Sequence, residues 1–427
     1  MSEEQRKKRL DHLVSLYGSA DLDTIIKEAL SVIQQYQSAT AYNILALAYK
    51  RSGNYEKALE IYERILIQNP NNSLFLGNLG NIYVDLGFID KAEQCFVRCL
   101  EIDNHNYNVR VGLANLLQSK SKSSEALDIL KELIENPLYK SKADFSDLNY
   151  RIAEIYRSMG SEYANKAIKH YEASDNPLSD SHRLELIYTS KSQAEFIKAE
   201  KEIVYKRAAS PLLAAVQSHA AIRYNKNDEN LFCQNPFTFI THSKLTKDDG
   251  FDSSLVRNLL NLKSKFDNIR QSLLDNGEQS AGNFFLSADP NVAVIKEIIL
   301  KRIEQYRRLF SNKTDGFITK WPENYQLHGW IVDIRKGGSL GGHMHKLGWL
   351  SGSLYLKIPT TLASSEGNIV FSLHGADYPT GSKMFPSKEL DIETGDIVLF
   401  PSSIFHKTLP FDSLENRVTL AFDIKPV

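Results

Sequence analysis

The sequence predicts a multidomain α + β protein, with an N-terminal all-α superhelix of repeats and a C-terminal jelly roll carrying packing helices. Three observations predict it. A pattern of small and large apolar residues returns every 34 residues in the first part of the chain. Past Phe232, helical spacing gives way to short β-rich runs bounded by Gly, Pro, Ser or Asp. Finally, 427 residues are more than one ordinary core holds.

The repeat is most regular in Tyr42, Leu45, Ala46, Tyr49, Gly53, Ala58, Tyr62, Ile65 and Pro70. It returns in Leu76, Leu79, Gly80, Tyr83, Gly87, Ala92, Phe96 and Cys99. A looser copy runs through Leu113, Ala114, Leu117, Ala126, Leu130 and Leu133, and a slightly expanded fourth through Ile152, Ala153, Tyr156, Gly160, Ala167 and Tyr171. Small residues let paired helices approach, and large ones fill the gap on the same face. Gly53 and Gly87 accept the turn between them. From about Ser38 to Ser174 the pattern resembles the tetratricopeptide repeat. That resemblance implies a superhelix whose concave surface holds a protein or peptide partner. Bracing of the second domain, or dimerisation, is the plainer use of the same array.

Helical periodicity continues from Ser181 to about Tyr224, broken at Ser210-Pro211. Asn225 to Asn230 is polar and turn-rich, so the domains are expected at residues 1–224 and 225–427. Asn235 to Ile240 reads as extended chain. Ser254 to Leu273 and Pro290 to Phe310 read as amphipathic helices, with Gly277 to Phe285 between them. Strands are expected at His328 to Arg335, Ser351 to Ile358, Asn368 to Leu373, Asp396 to Phe400 and Arg417 to Ile424. Short antiparallel strands behind packing helices suggest a double sheet.

Composition excludes several classes. Lys+Arg 51 against Asp+Glu 52 leaves a net charge of -1, which gives no electrostatic case for nucleic acid or an anionic membrane. No run approaches the length of a membrane span, and the charged first residues show no apolar signal segment. Cys95, Cys99 and Cys233 cannot form a disulfide framework and have no histidine at zinc-ligand spacing, so a reducing, cytoplasmic setting is expected.

Chemistry concentrates in two stretches. Gly337 to Tyr355 sets His343 and His345 one residue apart at a glycine-rich turn entering a strand, and Phe400 to Arg417 adds His406. Imidazole binds a first-row metal while staying neutral, and two of them at i and i+2 on extended chain point to one side. Elsewhere the reading is plainer. His328 is expected to be a hydrogen-bonded strand residue and His374 an exposed loop residue or a substrate contact. Trp330 and Trp349 read as core or rim, while Gln279 and Asn283 reach the site or merely shape a turn.

From roughly Cys233 to Val427 the chain resembles the Fe(II)- and 2-oxoglutarate-dependent oxygenases that occur fused to tetratricopeptide repeats. The matching pieces are Gly277-Glu-Gln-Ser280, His343-Met-His345, Leu350 to Leu356, Gly395 to Ser402, His406 and Arg417 to Asp423. The resemblance implies a double-stranded β-helix with Fe(II) as cofactor and 2-oxoglutarate as co-substrate. It also implies hydroxylation of an unactivated C–H bond, with succinate and carbon dioxide as products. It assigns His343, His345 and His406 to the metal and Arg417 to the far carboxylate of 2-oxoglutarate, through a planar fork. Thr419 shares that strand face, and Tyr355 lies one strand away or is a core tyrosine.

The commonest form of the site has an acid where His345 stands. Three arrangements are open: all three histidines as ligands; only His343 and His406, as in the aspartyl/asparaginyl β-hydroxylases; or a carboxylate from elsewhere, such as Asp377, Asp333 or Asp396. Two rival functions also stand. One is a catalytically silent jelly roll on a repeat-based interaction scaffold. The other is a cupin-like three-histidine metalloenzyme that does not use 2-oxoglutarate.

Overall fold

Caps spaced by the repeat length start the first helix of each pair. The side chains of Ser38, Asn72 and Asn106, at intervals of 34, each accept a hydrogen bond from the backbone N–H three residues on. Asp144 does the same 38 residues after Asn106, and those four extra residues are the expansion legible in the fourth copy. The computed structural model describes residues 2–141, 144–204, 210–269, 271–360, 363–376 and 378–427.

Two helices that the repeat pattern does not announce come first, α1 (Glu3–Ser19) and α2 (Leu22–Gln35). Four pairs follow: α3 (Ala39–Arg51) with α4 (Tyr55–Gln68), α5 (Ser73–Leu86) with α6 (Ile89–Ile102), α7 (Tyr107–Ser119) with α8 (Ser123–Glu135), and α9 (Phe145–Met159) with α10 (Ala164–Glu172). Ala46, Ala114 and Ala153 are fully buried between helices. At the equivalent Gly80, a Cβ would stand 2.5 Å from the Phe96 ring. Three more helices, α11 (Ser179–Ser190), α12 (Gln193–Val204) and α13 (Pro211–Tyr224), complete the helical part.

The remainder is a curled antiparallel sheet, the double-stranded β-helix, with α14 (Ser253–Leu262) and α15 (Pro290–Leu309) packed on it. Its strands are β1 (Thr241–Lys244), β2 (Asn268–Ile269), β3 (Leu274–Ser280), β4 (Tyr325–His343), β5 (Leu350–Lys357), β6 (Ile369–Ser372), β7 (Ser387–Leu390), β8 (Asp396–Pro401), β9 (Phe405–Thr408) and β10 (Arg417–Pro426). The order is β1-β8-β5-β10-β4-β9-β6-β7, with β3 also on β4. The first part of β4 pairs with β10, and its far end pairs with β9, so this one strand carries the sheet around.

Three expectations need correction. The helix expected to reach Leu273 stops at Leu262, and Leu274–Ser280 is a strand because β4 supplies its ladder. β4 does not end at Arg335 but runs through the glycines to His343. A Cβ at Gly338 would meet the Asp275 carbonyl at 2.6 Å, so that approach of β3 to β4 requires glycine. Finally, Pro236–Phe239 is a short 3-10 helix rather than extended chain.

The two parts interlock. Gly87, at φ +82, lies against Ala281, where a Cβ would meet the carbonyl oxygen at 2.4 Å. Asn283 N–H donates to the Asp85 carbonyl at 3.0 Å. Leu184, Tyr188, Leu212 and Val216 of α11 and α13 share one apolar cluster with Met344, Tyr378 and Phe405. Beside it, Glu185 accepts from Lys346 Nζ and, at 3.0 Å, from the Tyr378 hydroxyl. Glu185→Ala leaves the largely buried Lys346 ammonium unpaired and should lower stability by about 3 kcal/mol in denaturant melts of the full chain. A change below about 0.5 kcal/mol would show that the contact is incidental.

His219 lies under the same cluster, hydrogen-bonded to Tyr188 and, at 3.0 Å, to His374, and stacked on Phe385. Burial, and then His374, pull its pKa from 6.5 to about 3. Between those values the unfolded chain binds a proton that the folded chain refuses. The contribution is therefore fully present above pH 6.5 and falls as pH drops toward 3, by at most about 1.4 kcal/mol per pH unit. His219→Gln should flatten the slope of stability against pH between 6.5 and 5 by up to that amount, measured in urea melts. An unchanged slope would contradict the assignment.

Candidate active site

His343 closes β4 directly opposite His406 on β9, and His345 follows two residues later, beyond the strand end. The ring centroids stand 4.3 Å (His343–His406), 4.9 Å (His345–His406) and 5.3 Å (His343–His345) apart. One nitrogen from each ring lies within 4.8 Å of the other two. The other nitrogens are engaged: His343 Nδ1 on the Gly341 carbonyl at 2.8 Å, His406 Nδ1 on Ile404 at 3.5 Å and His345 Nδ1 on Asp423 at 2.6 Å. All three are acceptors, so each Nδ1 carries a proton and each ring turns its Nε2 toward the cluster. Burial, and then His345, lower the His343 pKa to about 4, and burial holds His406 well below its usual value. Both rings therefore stay neutral, as ligands must.

Asp423 is the residue that sequence reasoning missed in this role. Its carboxylate accepts from His345 and, at 2.7 Å, from the Ser351 hydroxyl, whose strand neighbour it is. Ser402 extends the network to Ser351 at 2.8 Å. Burial opposes the charge, but His345 and Ser351 hold the Asp423 carboxyl below the ordinary value. Gly348 makes room, since a Cβ there would sit 2.6 Å from Ser402 Oγ and 2.9 Å from Asp423 Cγ. A signal was available: residues 417, 419, 421 and 423 alternate onto one strand face.

The three rings open into a cavity of about 180 Å³ whose deep wall holds Arg417, Thr419 and Tyr355. Arg417 is 2% exposed. Its guanidinium donates to the Gly367 carbonyl at 3.0 Å and to Thr419 Oγ1 at 2.9 Å, and no carboxylate pairs with it among the described residues. Tyr355 lies opposite Thr419 in the sheet, with its ring 5.0 Å from the guanidinium carbon. The buried Tyr355 hydroxyl lies toward the same guanidinium and toward Ser353, outside good hydrogen-bond geometry with either. A buried cation without an anion, with the Tyr355 hydroxyl beside it, fits the far carboxylate of a dicarboxylate.

The other candidates fall elsewhere. Asp333 binds Lys263, and Asp396 binds His242 at 2.8 Å, so neither points at the rings. Asp377 lies outside the described residues. His374 is held by His219 rather than standing free. Asn283 bonds the β4 backbone at Leu327 and Gly329, a structural role. His328 and Trp330 face a second cavity toward the repeats, and Trp330 also stands 5.4 Å from the His345 ring. Trp349 is core.

Residues 39–72 and 75–106 match two tetratricopeptide-repeat models, and residues 328–423 match a model described as "Putative 2OG-Fe(II) oxygenase". Tetratricopeptide repeats thus precede a span that matches this oxygenase model. The matched span of the oxygenase domain contains all three histidines, Arg417 and Asp423. Among curated proteins, ETO1-like protein 2 of Arabidopsis thaliana is 37% identical over 28% of this chain and 13% of its own length. Cellulose synthase operon protein C of Pseudomonas fluorescens is 26% identical over 32% of this chain and 12% of its own length. The chain thus spans only a small part of these relatives. A solved tetratricopeptide-repeat protein from Parabacteroides merdae superposes with a TM-score of 0.37 at 19% identity, covering 50% of this chain and 84% of that one. No helix among the described residues is long and apolar enough to cross a membrane.

Proposed function

We propose that this chain is an Fe(II)- and 2-oxoglutarate-dependent dioxygenase that hydroxylates a C–H bond of a protein or peptide. The repeat part, residues 1–224, would recognise that substrate, and residues 225–427 would carry the chemistry. The observation that carries the reading is Arg417, a buried guanidinium with no carboxylate partner among the described residues, lining one small cavity together with Tyr355 and three clustered imidazoles. A silent jelly roll or a metal site without 2-oxoglutarate has no use for that guanidinium.

His343, His345 and His406 would hold the metal, which with 2-oxoglutarate supplies the activation of oxygen. Three neutral imidazoles contribute no negative charge. Asp423 makes up part of the difference by drawing on the His345 N–H, which makes Nε2 a stronger donor. In this reading the carboxylate acts through the His345 ring instead of on the metal. Arg417, Thr419 and Tyr355 would anchor the far carboxylate, so that the other end of the co-substrate meets the imidazoles. Phe371 and Phe400 wall off His406, with Phe400 at 4.7 Å, and keep water from that side.

The test is anaerobic addition of Fe(II) and then 2-oxoglutarate to metal-free protein. A weak visible charge-transfer band should develop and be absent from His406→Ala, and in air the parent should convert 2-oxoglutarate to succinate. Neither band nor succinate from the folded parent would end the reading.

A further inference from the structure

A cleft of about 530 Å³ lies between α5–α7 of the repeats and β3–β4 of the sheet. It shares Gln279 and Trp330 with the cavity that holds the three histidines, so those two side chains stand between the two cavities. Both walls present amides, Asn81 and Asn115 from the helices and Gln279 and Gln326 from the sheet side. Asn115 Oδ1 already accepts from Arg151 at 2.9 Å, and Asp85, which also lines the cleft, is paired with Lys50 at 2.7 Å. Asn81 and Asn115 are 34 apart and occupy the same place in successive repeats. Among the described residues no lysine or arginine lines the cleft, which removes phosphate-bearing ligands from consideration. His328 adds no charge, since burial lowers its pKa to about 4. The cavity on the other side of His406 is different in kind, lined by Lys383 and Lys407.

We propose that this cleft seats an extended polypeptide segment, its backbone read by the amides of both walls and one side chain passing Gln279 and Trp330 to the histidines. A side-chain amide offers a donor and an acceptor together, which matches the alternation of N–H and C=O along an extended peptide. Leu116, Val84 and Leu286 give the cleft an apolar floor that a peptide covers. The interlock of Gly87 with Ala281 and Gly282 fixes the spacing of the walls, so register in the cleft sets which residue reaches the site. The cleft rests on the oxygenase reading only for the purpose of that last step.

The experiment selects random linear dodecapeptides on the full chain. Selected peptides are then measured against the parent, Asn81→Ala/Gln326→Ala and Lys383→Ala/Lys407→Ala, with melting curves to confirm folding. Gln326 is exposed, so Gln326→Ala alone serves as a second, structurally mild variant. The amide pair should weaken binding about tenfold or more, the single variant by less, and the lysine pair not at all. Failure to select any peptide, equal binding by the amide variants, a loss confined to the lysine pair, or displacement by neutral oligosaccharide would each overturn the cleft. The two readings separate: a parent that lacks the charge-transfer band yet binds peptides through Asn81 and Gln326 loses the oxygenase and keeps the cleft.

Discussion

Arg417→Met is expected to abolish 2-oxoglutarate binding while leaving the ligand-free chain at least as stable as the parent. In the parent the guanidinium is buried, held by one carbonyl and one hydroxyl, with no counter-ion among the described residues. Burial accordingly pulls its pKa down. Such a charge is a cost until its anion arrives. Methionine of similar length should relieve about 1 kcal/mol of it, seen as an equal or higher melting temperature without ligand. With 2-oxoglutarate the order reverses. The carboxylate loses a bidentate, desolvated partner, and affinity should fall about 100-fold or more, erasing the thermal shift that the ligand gives the parent. Arg417→Lys keeps the charge without the fork and should lie between the two. Full 2-oxoglutarate binding by Arg417→Met would remove the main support for the co-substrate.

Asp423→Ala should weaken Fe(II) binding by about 10–100-fold without touching a ligand atom. The His345 ring would keep only the Ser351 hydroxyl, at 2.9 Å, as a partner for Nδ1 and would be free to turn or change tautomer. Asp423→Asn retains an acceptor but not the charge, so it should fall between parent and alanine. That ordering distinguishes a charge effect from orientation. Anaerobic Fe(II) titration reads the affinity, with Mn(II) as an air-stable check. Equal metal affinity in all three proteins would mean that His345 is not a ligand, which favours the two-histidine arrangement.

Much of the architecture was legible because it is periodic. Alanine and glycine at residues 46, 80 and 114, and caps at 38, 72 and 106, recur at a spacing that a helical pair imposes on its own sequence. The pair His343 and His345, the distant His406 and Arg417 were legible for a related reason, since such residue types rarely gather near strands for packing alone. The helices α1 and α2 were not, because they pack on α3 without the signature residues of a repeat. β3 was read as a turn because its own residues carry turn chemistry, and only β4 makes it a strand.

By itself, then, the sequence determined the repeats, the change to β-structure and the residue types of the site, because each is written in short-range spacing. Tertiary structure alone put the Asp423 carboxylate on the His345 ring, 78 residues away in sequence, and put a cleft between the repeats and the sheet beside the histidine cavity. Both depend on strand register and on the Gly87 contact, which bring together residues that no local pattern links.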